Sequence, residues 1–421
     1  MELRTDRRRV VVTGCGVVSP VGNTTEDFWT ALLAGRSGVT ALTRFDTSGL
    51  PVRIGGDLTG FDPAGSGFLT PQEVRRTDLF TQYAVVAAGQ AMRAAGLEPR
   101  TDVDPYRFAA VIGSGYGAAH AIQQQYDVLK NQGARRVSPY HSVLTAIDHP
   151  AGLLSIKYGI SGPSCAVSAA CATGAVAIGE AAELIRHGRA DVVLAGGTDD
   201  SLTAADLAGT ANARALSRRN DDPEGASRPF DRDRDGFVMA VGATVLTLEE
   251  AGHAERRGAT VLAEVAGYAA TTDAHHATAP DPTGAGAVRA MRGALADAGL
   301  TPDDVGQVSA HGTGTVLNDR IEAAALREVL GPDQLRRTPI TAVKSMTGHM
   351  LGASGAAEAA AAALSLRDRT IPPIRNCDHP EDDDLDLVLK GARDWDGDVV
   401  LSNSFGFGGH NAVLVLKRYR A

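Results

Sequence analysis

One cysteine occupies a position suited to nucleophilic chemistry. Cys171 follows a small, apolar run and precedes an Ala-rich helical pattern, so it lies where a strand turns into a helix. The partial positive charge of a helix N-terminus favours the thiolate, which is the nucleophilic form of cysteine. Small neighbours such as Gly174 leave room for a substrate carbonyl. The competing interpretation is a buried, inert cysteine, because free cysteine packs as a small hydrophobic residue.

Three further motifs lie at or near the ends of apolar strands. His311 opens a compact His-Gly-Thr-Gly-Thr loop, and His349 lies at a second strand-to-helix junction, five residues after Lys344. A Gly-rich turn carries Phe405 and Phe407. Taken singly, each histidine is better explained as a structural or surface residue. A cysteine nucleophile, two histidines and a Gly-rich oxyanion turn are together what acyl transfer with carbon–carbon bond formation requires.

Composition restricts the class of protein. The chain has 421 residues, which indicates two domains or two fused halves, and its net charge of −9 argues against a nucleic-acid partner. No apolar run reaches the roughly 18 residues of a membrane span, and we expect neither a signal peptide nor membrane association. The four cysteines lack metal-binding spacing, so we expect no metal, reduced thiols and a cytoplasmic location.

The order of elements predicts an α/β fold with largely parallel sheets. Strands alternate with helices up to about residue 258, and the alternation begins again from Thr260. A strand, a Gly-rich turn and an Ala-rich helix occur around Cys171 and again around Gly348, which hints at internal duplication. The polar segment 214–236 predicts a long surface loop. Its acidic run 231–235 could suggest calcium, but a solvated loop is the simpler interpretation.

From Arg9 to Asn411 the chain resembles the β-ketoacyl synthases of the condensing-enzyme (thiolase-like) superfamily, notably β-ketoacyl-carrier-protein synthase II and type II polyketide ketosynthases. Four ordered motifs carry the resemblance: Gly-Pro-Ser-Cys-Ala-Val-Ser-Ala-Ala-Cys-Ala-Thr-Gly at 162–174, His-Gly-Thr-Gly-Thr at 311–315, Lys-Ser-Met-Thr-Gly-His at 344–349 and Asn-Ser-Phe-Gly-Phe-Gly-Gly at 403–409. The resemblance implies a thiolase-like fold of two duplicated α/β halves in an αβαβα layered core. We expect the cysteine half to span residues 1–258 and the histidine half residues 259–421.

The resemblance also implies a mechanism. Cys171 accepts an acyl chain from an acyl carrier protein, with its own backbone N–H and that of Phe407 as the oxyanion hole. Malonyl-carrier protein then loses CO2, and neutral His311 and His349 stabilise the enolate. Phe407 gates the pocket, supported by Phe405. The protein itself needs no cofactor, because phosphopantetheine arrives on the carrier protein.

Supporting roles follow from the same resemblance. Six residues are expected to hold or extend the site: Lys344 beside His311, Glu358 as its acid–base partner, Asp319 and Glu322 as braces of the loop and lysine, and Thr313 and Thr315 as contacts of the pantetheine arm. Three basic pairs are expected to bind the acidic carrier protein: Arg75 and Arg76, Arg135 and Arg136, Arg218 and Arg219. A dimer is expected, either of identical chains or with a Cys-less chain-length-factor paralogue.

Three positions depart from the family pattern. Ala240 and Val241 replace the usual Gly-Glu, which removes a buried carboxylate. Tyr116 occupies the position that sets acyl-pocket depth, and His141 falls where an aromatic or apolar residue of the partner subunit usually borders that pocket. These residues favour a short, unsaturated or oxygenated acyl chain, and therefore a polyketide ketosynthase over a fatty-acid elongating enzyme. A non-elongating partner subunit is disfavoured because Cys171 is present.

Overall fold

The structure is a computed structural model that describes residues 7–421. Residues 1–6, where the start of a signal peptide would lie, are outside that range. Strands β1 to β14 are, in chain order, Val10–Val18, Thr40–Ala41, Ile54–Gly55, Phe108–Gly113, Ser164–Cys165, Val192–Asp199, Gly242–Glu250, Ala263–Thr272, Gln307–Ser309, Ile340–Thr341, Thr370–Ile371, Arg393–Asp394, Val399–Gly406 and His410–Lys417.

Helices α1 to α13 are, in chain order, Thr25–Leu33, Pro71–Val74, Leu79–Ala95, Ala119–Gln132, His141–Leu144, His149–Tyr158, Thr173–Arg186, Ala204–Asn212, Ala251–Arg256, Ala285–Ala298, Val316–Leu335, Lys344–Thr347 and Ser354–Asp368. Short 3-10 turns are Pro105–Arg107, Ala134–Arg136, Ala170–Ala172, Pro302–Asp304, Leu351–Ala353 and Phe407–Gly409. Within residues 7–421, every helix is too short or too polar to span a bilayer.

The two halves of the chain have the same strand order. The main sheet runs β10-β9-β13-β14-β8-β1-β7-β6-β4-β5. Numbered along the chain within each half, both parts have the order 3-2-4-5-1, and the parts are joined through β8 and β1. Parallel pairing is confined to β5-β4-β6 and β10-β9-β13, while the other neighbours are antiparallel. The prediction of largely parallel sheets is therefore wrong, because β7 and β14 each return antiparallel to the strand before them.

The helices complete a layered core. The central helices α7 and α13 pack on each other and on strands of both halves, while α3 covers β1, β7 and β6, and α10 covers β8 and β14. Small residues allow the central helices to approach closely. A Cβ added at Gly174 would lie 2.6 Å from the Ala356 nitrogen, and one added at Gly355 would lie 2.8 Å from the Ala175 nitrogen. The predicted duplicated α/β architecture is confirmed.

The segment 214–236 has no helix or strand, as predicted, but it is not a surface loop. Its middle, from Gly225 to Asp231, is buried. The Ser227 hydroxyl donates to the Lys344 carbonyl at 2.7 Å, and the Phe230 N–H donates to Asp319 at 2.8 Å. The surface prediction is wrong for this middle part, because its polar groups find partners inside the protein, at the starts of the helices α11 and α12.

Candidate active site

Cys171 lies in the 3-10 turn that leads directly into α7. The preceding strand β5 ends at Cys165, so four residues outside any helix or strand separate it from the turn. Ala170 adopts a left-handed conformation with φ of 48°, and Cys171 is only 8% exposed. The Thr173 hydroxyl accepts the Ala169 N–H at 2.8 Å and closes the turn. The cysteine is thus held at the N-terminus of a buried helix, as the sequence predicts.

Burial dominates the ionisation of this thiol. Desolvation raises the pKa of Cys171 to about 11, although the Lys344 ammonium and backbone N–H groups of Phe407 and Cys171 act in the opposite direction. The resting thiol is therefore protonated, and burial outweighs the helix N-terminus. A Cβ added at Gly406 would lie 3.1 Å from the Cys171 nitrogen, so glycine lets the end of β13 approach the turn. The backbone of Phe407, which follows Gly406, is therefore close enough to the thiol to lower its pKa.

The His-Gly-Thr-Gly-Thr loop wraps around two buried carboxylates of α11. Glu322 accepts the N–H groups of His311 and Gly312 at 2.8 and 2.9 Å. Asp319 accepts the Thr313 N–H at 3.1 Å. Because each carboxylate bonds several consecutive backbone N–H groups, α11 fixes the loop without any contact to the imidazole ring. Both acids thus bond the loop, whereas Lys344 bonds His311 and Glu358 instead, so bracing of the lysine stays a prediction.

Lys344 determines which nitrogen of His311 carries the proton. Its ammonium lies 3.2 Å from His311 Nδ1, donates to the His311 carbonyl at 2.7 Å and pairs with Glu358. An ammonium can only donate, so Nδ1 is the acceptor and the proton resides on Nε2. Burial, with the Lys344 charge, lowers the pKa of His311 well below 6.5, and the ring is neutral. Burial also raises the pKa of Glu358 to about 7 against the effect of Lys344.

His349 has the same tautomer through different neighbours. Its Nδ1 accepts the Leu351 N–H at 3.3 Å and lies 2.9 Å from the Ser354 hydroxyl. Its Nε2 is buried without a hydrogen-bond partner among the described residues. Burial and the charge of Lys344 lower the pKa of His349 well below 6.5. The rings of His311 and His349 meet edge to face with centroids 5.5 Å apart.

These groups surround one cavity of about 250 Å³. It is lined by predicted residues and by several that sequence reasoning missed. The predicted ones are Cys171, His311, Thr313, Thr315, His349, Phe405 and Phe407; the missed ones include Arg214, Asp235, Phe237, Pro280, Leu317 and Asn318. The missed residues come from segments without a chemical motif, so only their neighbour relations in the fold could identify them. A thiol, two backbone N–H groups and two neutral imidazole donors thus share one chamber.

Comparison with known proteins identifies the family. The profile of "Beta-ketoacyl synthase, N-terminal domain" matches residues 7–254, and that of "Beta-ketoacyl synthase, C-terminal domain" matches residues 262–378. The chain belongs to the β-ketoacyl synthase family. The synthase is 45% identical over 414 residues to the 3-oxoacyl-[acyl-carrier-protein] synthase 2 of Coxiella burnetii, covering 98% of this chain and 99% of that one. It is accordingly a condensing enzyme of the acyltransferase type.

Solved structures agree on the fold. One is a ketosynthase of a type II polyketide synthase, bound to the hexaketide and in complex with its acyl-carrier protein; it matches with a TM-score of 0.90 at 32% identity, covering 98% of this chain and 100% of that one. The ishigamide ketosynthase/chain length factor matches with a TM-score of 0.90 at 34% identity and the same coverage. The predicted thiolase-like fold of the synthase is confirmed.

The two pocket residues of the synthase do not line the cavity. Tyr116 is 39% exposed and lies beside Thr210 of α8, in the neighbourhood of Cys171, and burial raises its pKa. His141 begins the short helix α5, is half-buried, and its Nδ1 has no partner among the described residues. Their roles in the acyl pocket stay predictions, because that pocket is expected to be completed by a second subunit.

The predicted basic pairs have different surroundings. The arginines at 75, 76, 135, 136 and 218 are exposed, whereas Arg219 is half-buried, lies 3.8 Å from Asp235 and donates to the Asp233 carbonyl at 2.7 Å. Arg214 was missed; it is exposed and lines the cavity. Arg214 thus brings a cation to the cavity wall, which none of the predicted arginines lines, although Arg219 contacts the lining residue Asp235.

At position 241, where the family usually has a buried glutamate, this chain has an apolar side chain that packs in the core. Val241 is fully buried among apolar side chains, and its N–H donates to the Gly56 carbonyl at 3.0 Å. The neighbouring Ala240 N–H donates to the His349 carbonyl at 2.9 Å. The segment still holds the backbone of His349, although it brings no charge to the site.

Proposed function

We propose that the synthase condenses malonyl-acyl carrier protein with an acyl chain held on Cys171, with loss of CO2, to give β-ketoacyl-carrier protein. The observation that carries this proposal is the pair of neutral histidines, each presenting Nε2–H on the cavity that contains the thiol. Two uncharged donors suit an oxyanion that develops during decarboxylation, because they need no proton transfer to stabilise it.

The first step loads the enzyme. The Cys171 thiolate attacks the thioester carbonyl of acyl-carrier protein, the tetrahedral oxyanion is bound by the backbone N–H groups of Cys171 and Phe407, and the pantetheine thiolate leaves. The backbone N–H groups of Phe407 and Cys171 already lower the pKa of the resting thiol, although burial outweighs them. Because the pKa of the thiol is about 11, loading requires a proton to leave Cys171, and the departing pantetheine thiolate takes up one proton, so that the step is balanced.

The second step generates the carbon nucleophile. The C–C bond to the malonyl carboxylate breaks, CO2 leaves, and the electron pair forms an enolate whose oxygen accepts the Nε2–H groups of His311 and His349. The third step forms the new bond. The enolate carbon attacks the acyl carbonyl on Cys171, and collapse of the tetrahedral intermediate returns the Cys171 thiolate and releases the β-ketoacyl product.

Elongation of fatty acyl chains is the pathway we favour. The support is the 45% identity over nearly the whole chain to a relative named 3-oxoacyl-[acyl-carrier-protein] synthase 2. A type II polyketide role is the second candidate. It is favoured by the likeness to polyketide ketosynthases and by Tyr116, whose predicted position at the acyl pocket would bring a hydroxyl to a saturated chain.

The partner surfaces belong to the same proposal. The helix α4 buries none of its residues and exposes Ile122, Tyr126 and Leu129, an apolar face suited to a second subunit, identical or paralogous. Acyl carrier protein would approach the basic residues around the cavity and supply the phosphopantetheine, so that the synthase needs no cofactor of its own. We place the reaction in the cytoplasm, where thiols stay reduced; the four cysteines are free.

The test is intact-protein mass spectrometry of Cys171 loaded from a panel of acyl carrier proteins carrying saturated, unsaturated and oxygenated chains, with and without a candidate partner. We expect one acyl adduct, lost in Cys171→Ala, and condensation after malonyl-carrier protein is added. Absence of any adduct would overturn the function. Comparison of wild type with Tyr116→Ala distinguishes the two pathways. Loading of long saturated chains by the wild-type enzyme supports fatty-acid elongation. Acceptance gained only in the variant supports the polyketide role.

A further inference from the structure

A buried carboxylate that is not among the predicted site residues forms hydrogen bonds to two separate segments of the site. Asp199 ends β6 and is fully buried. It makes no ion pair with any residue in 7–421, and instead accepts the Ser114 hydroxyl at 2.6 Å and the N–H groups of Gly115 and Tyr116 at 3.0 and 2.9 Å. These three donors form the loop between β4 and α4. The carboxylate therefore fixes the backbone of the residue assigned to acyl-pocket depth.

The same carboxylate binds the turn that follows the second histidine. Its other oxygen accepts the Gly352 N–H at 2.6 Å. Gly352 follows Leu351, whose N–H donates to His349 Nδ1. A Cβ added at Gly352 would lie 2.6 Å from Asp199 Oδ2, so only glycine allows this approach. Asp199 thereby holds the turn that orients the imidazole.

The cysteine turn is the third neighbour. The turn Ala170–Ala172 packs on the turn Leu351–Ala353, and a Cβ added at Gly115 would lie 3.6 Å from the Ala170 carbonyl. The Asp199 charge also raises the pKa of Cys171, although less than burial does. One carboxylate is thus in contact with, or next to, the pocket loop, the nucleophile turn and the histidine turn.

We propose that Asp199 is a positioning residue that holds the acyl-pocket loop and the His349 turn in register, and so couples the seating of the acyl chain to the orientation of the imidazole. The proposal rests on the proposed function, because it assigns Asp199 to the decarboxylation step. An asparagine at this position would place an NH2 group against backbone N–H donors. The hydrogen bonds to either the acyl-pocket loop or the His349 turn would therefore be lost.

The experiment compares Asp199→Asn with Asp200→Asn, a neighbour that is equally buried but bonds Arg44, Tyr83 and His120 instead. For Asp199→Asn we expect kcat for malonyl decarboxylation to fall by about 10- to 100-fold, since small displacements of a catalytic group cost rates of this order. KM for malonyl-carrier protein should change by less than about twofold, because the carrier-side residues do not touch Asp199. Alkylation of Cys171 should reach half its maximal rate at a lower pH.

The outcomes separate the hypotheses. Folded Asp199→Asn with wild-type kcat overturns the positioning role, as does an equal loss of kcat in Asp200→Asn. If Asp199→Asn does not fold, Ser114→Ala removes one donor and should lower the same kcat by about threefold; no loss there also overturns the proposal. Wild-type synthase that neither loads Cys171 nor condenses would refute the proposed function instead.

Discussion

Loss of the His349 imidazole should separate the two half-reactions. The alanine variant removes an Nε2–H donor that is buried without a partner among the described residues, while His311 keeps its own donor through Lys344. One buried donor to a developing oxyanion is worth about 10²- to 10³-fold in rate, or about 3–4 kcal/mol. We therefore expect malonyl decarboxylation to fall by that factor in His349→Ala.

Loading of Cys171 should change by less than about twofold in the same variant. The oxyanion of that step is assigned to backbone N–H groups of Cys171 and Phe407, which the substitution leaves in place. His349→Asn keeps an amide N–H on a shorter side chain, so its decarboxylation rate should lie between those of alanine and wild type.

The assay follows both masses at once: acyl-enzyme formation on Cys171, and conversion of malonyl-carrier protein to the decarboxylated form. Thermal unfolding establishes that each variant is folded. An equal loss of both half-reactions in folded His349→Ala would refute the separation of roles. So would a decarboxylation rate within about fivefold of wild type.

Further predictions concern ionisation and packing. In a Cys165→Ser background, which removes the exposed thiol, alkylation of Cys171 by iodoacetamide should rise about tenfold per pH unit from pH 7 to 9, because its pKa is about 11; a plateau by pH 8 would contradict this. Burial alone would raise the pKa of Glu249, but hydrogen bonds from its arginine, histidine and threonine partners lower it from 4.5 to about 2. The ionised carboxylate should therefore add about 3 kcal/mol to the free energy of unfolding above pH 4.5, and this contribution should disappear as the pH falls towards 2. The difference in unfolding free energy between wild type and Glu249→Gln should become smaller over that range. A constant difference would contradict the prediction. Gly174→Ala should lower Tm by several degrees, because its Cβ would lie 2.6 Å from the backbone of α13, whereas Gly209→Ala in α8 meets no atom within 4 Å and should leave Tm unchanged or raised; equal shifts would refute the packing argument.

The sequence predicts the reacting residues of this site better than the neighbours that set their protonation. Cys171, His311 and His349 belong to motifs whose residue types indicate acyl transfer, and the fold brings all three to one cavity. The tautomers could not be predicted, because they depend on Nδ1 partners such as the Leu351 N–H, which every non-proline residue possesses. Local pattern therefore identifies the reacting groups and the Lys344 partner of His311, while the state of His349 depends on a backbone partner that no motif marks.

Polar residues in the interior were the main source of error. The segment 214–236 looks like surface in the sequence, because charged side chains are usually exposed. In the structure, the Lys344 carbonyl and the Asp319 carboxylate accept hydrogen bonds from Ser227 and Phe230 in the buried middle of this segment. The prediction of largely parallel sheets was wrong for a different reason. Alternation of strands and helices along the chain does not show that β7 and β14 run antiparallel to the strands before them.

The strand order has a consequence for synthesis on the ribosome. In the histidine half, β14 lies between β8 and β13, yet it is the last of the described strands to be translated. The gap beside β8 therefore stays open until some 145 further residues have emerged, and the Gly-rich turn that faces Cys171 comes from this late hairpin. A nascent chain can complete the cysteine half first, but it presents an unpaired sheet edge during that interval. The condensing chamber can therefore be completed only after this last hairpin has been translated.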